Sequence, residues 1–233
     1  MNAMSQANYV FAPAAIPTLP VAGSNQVFPV RRLYCVGRNY AEHAIEMGHD
    51  PNREPPFFFQ KNPDSITLSG EFPYPRQTKD VHHEIEMVVA IGRGGKDIPV
   101  DKALEHVFGY GVGLDMTRRD LQGEAKKLGR PWDIGKGFDL SAPIGPLHRA
   151  GSTSIGPDTT ISLQVNGTVR QKSTIGKLIW SIAEIIEHLS AAWELQPGDL
   201  IFTGTPEGVA AVERGDMLKA EISGIGSLQF QIV

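Results

Sequence analysis

Residues 80–89, DVHHEIEMVV, place Glu84 and Glu86 two positions apart in a run otherwise suited to a β-strand. Side chains alternate along a strand, so His82, Glu84, Glu86, Val88 and Ala90 share one face, and His83, Ile85, Met87, Val89 and Ile91 the other. The second face is apolar and suits a core. The first brings two carboxylates about 7 Å apart, where they repel unless water, a proton or a cation intervenes. This strand alone leaves two readings open, a solvated acidic face and a metal site. Asp115, at the end of the next expected strand, YGVGLDM, adds a third carboxylate where the apolar face ends. Three converging carboxylates suit Mg²⁺, Mn²⁺ or Ca²⁺, which prefer oxygen, whereas zinc favours His or Cys.

A second pair lies in NYAEHAIEM, where His43 and Glu46 are three apart and neighbour each other on one helix face. A carboxylate that holds an imidazole makes it a better general base near neutral pH. The same spacing also fits a surface ion pair. Lys136, in DIGKGFD, stands between glycines that let a backbone approach a ligand, and residues 202–209, FTGTPEGV, form a Gly- and Thr-rich loop after a strand. Each of these also fits an ordinary turn. For His82 and His83 the pattern offers a hydrogen bond to the carboxylates or a plain strand-edge position.

The elements that must position these groups are mostly short strands: VFPV, LYCVG, PFFFQ, HHEIEMVVAIG, VFGYGVGLDM, ISLQV, TVRQK, DLIFTGT, MLKAEI and LQFQIV. Asn166-Gly167 supplies a type I′ hairpin turn in ISLQVNGTVRQ. Three helices stand out. SIAEIIEHLSAAW opens with a Ser181/Glu184 capping box and gathers Ile182, Ile185, Ile186 and Leu189 on one face. NYAEHAIEM closes at Gly48, and TRRDLQGEAKKL opens at Thr117 with Asp120 as its capping partner and closes at Gly129. The pattern is β-rich, a barrel or rolled sheet with helices outside, in one domain spanning residues 27–233. Residues 1–26, rich in Pro and Ala, are expected to run as an extended arm over the surface.

The chain has 233 residues, 41% hydrophobic and 21% charged, the composition of a globular protein with a sizeable core. Its 22 Lys+Arg against 26 Asp+Glu, with no basic run, argue against nucleic acid as a partner. The single cysteine, Cys35, cannot form an intrachain disulfide and reads as a small buried thiol. No apolar stretch approaches the roughly 20 residues a membrane helix needs, and prolines 13, 17 and 20 interrupt the start where a signal segment would lie, so a cytoplasmic location is expected.

Together, CVGRNYAEHAIEM, FQKNPDSI, HHEIEMVVAIG, GYGVGLDMTRRDLQ, PWDIGKGFD, VNGTVRQ and LQPGDLIFTGTPEGV resemble the fumarylacetoacetate hydrolase family, in its smaller acylpyruvase branch, from about Val30 to the end. The resemblance implies an α+β, β-rich fold, a mixed β-roll with a few flanking helices, assembled as a homodimer. It implies that Glu84, Glu86 and Asp115 hold Mg²⁺ or Mn²⁺, that His43 and Glu46 form a catalytic dyad, and that Lys136 stands beside the metal. Arg38, Tyr40, Lys61, Arg119, Gln122 and Thr205 match positions that contact substrate.

The activity implied is metal-dependent cleavage of a carbon–carbon bond in a 2,4-dioxo acid. Fumarylpyruvate is favoured, because the N-terminal arm and TGTPEGV resemble bacterial enzymes of the gentisate route of aromatic catabolism. Arg118 beside Arg119 offers a cation for that substrate's second carboxylate, or else faces solvent in the first turn of a helix. Other acylpyruvates, oxaloacetate decarboxylation and isomerisation of hydroxy-diene dioates share the pyruvate enolate. A keto-acid and metal-binding sensor or scaffold is the non-enzymatic alternative, and the His43/Glu46 pair speaks against it, since a binder needs no base.

Overall fold

The computed structural model describes residues 8–46, 54–68 and 70–233. The strand Ile85–Ile91 runs through the middle of a six-stranded mixed sheet. Its neighbours, in spatial order, are His148–Arg149 and Val107–Leu114 on one side, and Leu200–Phe202, Leu33–Gly37 and Phe57–Lys61 on the other. Every pair is antiparallel except Leu200–Phe202 with Leu33–Gly37.

A second sheet of five strands orders Thr168–Thr174, Thr160–Val165, Met217–Ile222, Gly226–Ile232 and Glu71–Phe72. The main core packs residues of this sheet, such as Leu163, Ala220 and Phe230, with Ile85, Met87, Val89 and Ile91 of the first. It also takes in Ile185, Ile186 and Leu189 of the helix Ile182–Ala192. That helix begins with the expected capping box, Ser181 and Glu184 each accepting from the other's backbone N–H. The hairpin turn has both Asn166 and Gly167 at positive φ, 50° and 78°, as a type I′ turn requires.

A second, smaller core lies on the other face of the six-stranded sheet, where Val88 and Ala90 pack with Leu33, Cys35, Leu200, Phe202, Ile144 and Leu147. The central strand is therefore buried on both faces, and only its N-terminal end reaches the candidate site. This differs from the expected division into one apolar and one acidic face. The arm contributes to this second core: Thr18–Pro20 pairs with Val27–Pro29, and Leu19 and Val21 pack into it. Tyr9, Val10, Phe11 and Ile16 lie exposed, whereas Leu19 and Val21 are buried.

Two local expectations are corrected. Thr117 does not cap a helix but pairs with His82 in a two-residue strand, its hydroxyl donating to the Asp115 carbonyl. The helix that follows is Arg119–Lys127, and Asp120 accepts from Thr78 and the Lys79 N–H instead of closing a capping box. Its other end is as expected: Gly129, at φ 62°, and Arg130 donate back to Lys126 and Ala125 in a Schellman motif. The expected stop at Gly48 for the helix Ala41–Glu46 lies outside the described residues. Cys35 is buried, and desolvation pushes its thiol well up, as a structural thiol should behave. Among the described residues no helix is long and apolar enough to cross a membrane.

Candidate active site

The ladder between Ile85–Ile91 and Val107–Leu114 ends at the pair Ile85 with Leu114, and the chain then breaks its regular pairing. One backbone bond survives the break, from the Asp115 N–H to the Glu84 carbonyl at 2.8 Å, so these two residues face each other. Glu86 lies two residues inward, opposite Gly113, which has no side chain to fill the space. Glu84, Glu86 and Asp115 are 4%, 2% and 0% exposed, which rules out a solvated acidic face. One oxygen of each lies within 4.8 Å of the others.

Such a cluster needs counter-charge. Lys136, at the end of the short helix Asp133–Lys136, places its Nζ 2.7 Å from Glu84 Oε2 and 2.7 Å from Asp115 Oδ2. Arg119 grips the other Glu84 oxygen, and Lys61 Nζ lies 2.9 Å from Asp115 Oδ1. Burial alone would raise the Glu84 carboxyl, but Lys136 and Arg119 outweigh it and hold it far below the carboxylate range. Burial and the opposing Asp115 and Glu84 charges push the Glu86 carboxyl well up. Asp115 Oδ1 is buried and receives no well-directed hydrogen bond despite its ion pair. Three buried carboxylates whose oxygens lie within reach of one another, one of them on Asp115 without a well-directed hydrogen bond, fit a hard divalent cation.

His43 reaches the same cavity from the helix Ala41–Glu46, and Glu46 stands behind it, its Oε2 3.2 Å from His43 Nδ1. Glu46 is held in turn by the Gly208 N–H, 3.1 Å from both its oxygens. Burial is the largest influence on His43 and lowers its pKa, against the opposing pull of Glu84 and Glu46, so the imidazole is neutral at pH 7. With Nδ1 donating to Glu46, Nε2 is the basic nitrogen. The same loop reaches the carboxylate cluster, because the Gly204 N–H donates to Glu86 Oε2 at 2.6 Å. Both glycines are obligatory: at φ 100° and 91°, an added Cβ would lie 2.7 Å from Asn39 Cβ and 2.0 Å from the Arg170 carbonyl oxygen, respectively.

Arg38, Arg119, Gln122 and Thr205 line the cavity with Glu84, Glu86, Asp115, His43 and Lys136. Lys61 does not line it; it lies behind Asp115, donating to the carbonyls of Met116 and Lys136. Tyr40 is fully buried outside the lining, and its hydroxyl has no hydrogen-bond partner among the described residues. Arg118 is neither in the cavity nor in the first turn of a helix, since it precedes that turn and stacks on Phe138, 4.2 Å from the ring centroid.

The two histidines acquire partners only in three dimensions. His82 Nε2 donates to Asp80 at 2.9 Å, which leaves Nδ1 to accept from Arg119 Nε at 3.3 Å, so His82 steadies the arginine on Glu84. His83 Nδ1 donates to Gln171 Oε1 at 2.9 Å, and Gln171 Nε2 donates to Thr205 Oγ1 at 2.8 Å. Sequence reasoning missed Gln171, for which no local signal exists. It also missed Lys126 and Trp132, which line the cavity. Lys126 was legible in outline: Arg119, Gln122 and Lys126 are spaced three and four apart, on one face of their helix.

Residues 32–233 match the family described as Fumarylacetoacetate (FAA) hydrolase C-terminal. A crystal structure of fumarylpyruvate hydrolase from Pseudomonas aeruginosa, in complex with Mn²⁺ and pyruvate, is 57% identical, with a TM-score of 0.95 over 97% of this chain and 99% of that one. Fumarylpyruvate hydrolase of a Ralstonia species is 43% identical over 78% of this chain and 95% of its own. An oxaloacetate tautomerase of Escherichia coli is 38% identical over 84% and 90%.

Proposed function

The chain belongs to the fumarylacetoacetate hydrolase family, and from that premise we propose that it hydrolyses a 2,4-dioxo acid, fumarylpyruvate, to fumarate and pyruvate. The observation that carries this reading is a neutral, carboxylate-held imidazole, His43, in the same cavity as three buried carboxylates. Glu84, Glu86 and Asp115 would hold Mg²⁺ or Mn²⁺, which would supply Lewis acidity toward the 2-oxo acid end of the substrate.

His43 Nε2 takes a proton from water, whose oxygen attacks the 4-carbonyl. Glu46 keeps Nδ1 protonated and stabilises the imidazolium. When the bond between carbons 3 and 4 breaks, the electron pair passes to the pyruvate enolate, and the His43 proton is available for carbon 3. Lys136, its charge secured by Asp115 and Glu84 against burial, offsets the negative charge that develops on the enolate oxygen. Arg119 and Gln122, bonded to each other at 2.7 Å, and Thr205 orient the substrate. The protein works as a homodimer.

The likeness to an oxaloacetate tautomerase supports a second reading, since proton transfer by His43 at the carbon beside a 2-oxo group also interconverts keto and enol forms. Loss of diketo absorbance with fumarylpyruvate, acetylpyruvate and oxaloacetate, compared as kcat/KM in the presence of Mg²⁺, decides between them. Constant absorbance with both acylpyruvates would end the hydrolase reading.

A further inference from the structure

The cations at the carboxylate end of the cavity are matched, whereas those at its outer end are not. Lys136, Lys61 and Arg119 each bind Glu84 or Asp115. Arg38 and Lys126 line the same cavity with no acidic partner among the described residues. Aromatic rings hold both: Lys126 Nζ lies 5.0 Å from the Trp132 centroid and Arg38 Cζ 5.4 Å from that of Phe57. The two rings meet edge to face at 5.3 Å. A lysine at a helix surface ordinarily extends its head into water. Here burial and the charges of Arg119 and Arg38 hold the Lys126 ammonium down to about 8, the condition of a cation that lacks its anion. Arg38 also adopts a left-handed backbone, φ 56°, which is unfavourable for a residue with a side chain.

We propose that Lys126, with Arg38 beside it and Trp132 behind it, receives the distal carboxylate of a dicarboxylic 2-oxo acid whose other end lies at Glu84, Glu86 and Asp115. Space sets the direction. The cavity reaching the carboxylates offers about 30 Å³, room for about one water. A seven-carbon acid must therefore extend outward, past Lys126 and Arg38. An adjoining cleft of about 620 Å³ shares Arg38, Phe59 and Trp132 with the cavity. Aromatic walls suit a flat conjugated acyl chain, and the unpaired cations suit the charge at its end. Lys126 thus takes the part that sequence reasoning offered to Arg118.

The inference rests on the proposed orientation of the 2-oxo acid, and its test does not require turnover. Binding of 2-oxoheptanedioate and 2-oxoheptanoate to the Mg²⁺-loaded protein is measured by calorimetry; the two differ only in the distal carboxylate, and neither has a 4-carbonyl to attack. The diacid should bind about tenfold more tightly or better, as one charge-assisted hydrogen bond implies. Lys126→Met should cut that ratio to about twofold or less, and Lys126→Arg should restore most of it. Equal affinities in the unaltered protein, or an unchanged ratio in Lys126→Met, would overturn the proposal. Fumarylpyruvate turnover in the same preparation separates the two readings. A strong diacid preference without turnover sinks only the hydrolase, and turnover without preference sinks only the Lys126 receptor.

Discussion

Burial holds the His43 imidazole neutral at pH values where an exposed histidine begins to take a proton. The base form is the neutral one, so activity is lost as pH falls through the lowered pKa. The acid limb of kcat/KM should therefore sit below pH 6.5, the value for an unperturbed imidazole. A limb at pH 7 or above would exclude His43 as the titrating base. Replacing it separates base from metal: His43→Ala should lower kcat by about 10²–10⁴-fold while Mn²⁺ still raises the melting temperature. Full activity in that variant would assign the proton transfer elsewhere. Glu46 accepts from the Gly208 N–H on both oxygens, so the pair is held by the 203–208 loop as well as by its own helix.

At the scale of elements, the loop 203–208 and the strand Thr168–Thr174 do for the site what no single catalytic residue could. Gly204 and Gly208 aim their N–H groups at Glu86 and Glu46, linking the carboxylate cluster and the His43/Glu46 pair through one loop. Gln171 ties that loop to the break in the central strand: it accepts from His83 Nδ1 and from the Ile85 N–H at 3.1 Å, and donates to Thr205 and the Pro206 carbonyl. Gln171→Met leaves those buried donors unsatisfied and should destabilise the fold by about 2–5 kcal/mol, read from urea denaturation. It should also raise KM, since Thr205 loses its orienting bond. A loss under 0.5 kcal/mol, by order of magnitude that of an ordinary surface change, would show that the network carries no load.

For the molecule as a whole, cation binding and folding are one equilibrium, because the three carboxylates converge only in the native state. Mn²⁺ at about a hundred times its Kd should raise Tm by roughly 5–10 °C, and chelation should reverse the shift. Glu84→Ala should abolish both the shift and turnover; a shift retained in that variant would remove Glu84 from the cation's ligands. The exposed apolar run of Tyr9, Val10, Phe11 and Ile16, with Val10 99% exposed, is what a paired surface would cover. Light scattering should accordingly give twice the chain mass of 25.4 kDa, and a monomer at micromolar concentration would contradict the homodimer.

What the sequence by itself determined is what local spacing encodes. The Ser181 cap, the Asn166-Gly167 turn, the Gly129 stop and the i, i+3 pairing of His43 with Glu46 all follow from residues a few positions apart. Alternation put Glu84 and Glu86 on one face, and the end of the next strand supplied Asp115. Only the tertiary structure decided whether that face meets water, because Val88 and Ala90 share a core with Leu19 and Val21, over sixty residues earlier, and Glu84 is covered by Arg119 and Lys136, from later in the chain. Tertiary structure also decided that His83 speaks to Thr205 through Gln171, 88 residues away, and that Lys126 rather than Arg118 faces the cavity. The physical reason is the same in each case. A spacing rule fixes which side chains share a face, but the partner that buries, pairs or orients that face comes from another part of the chain, at a distance no local pattern carries.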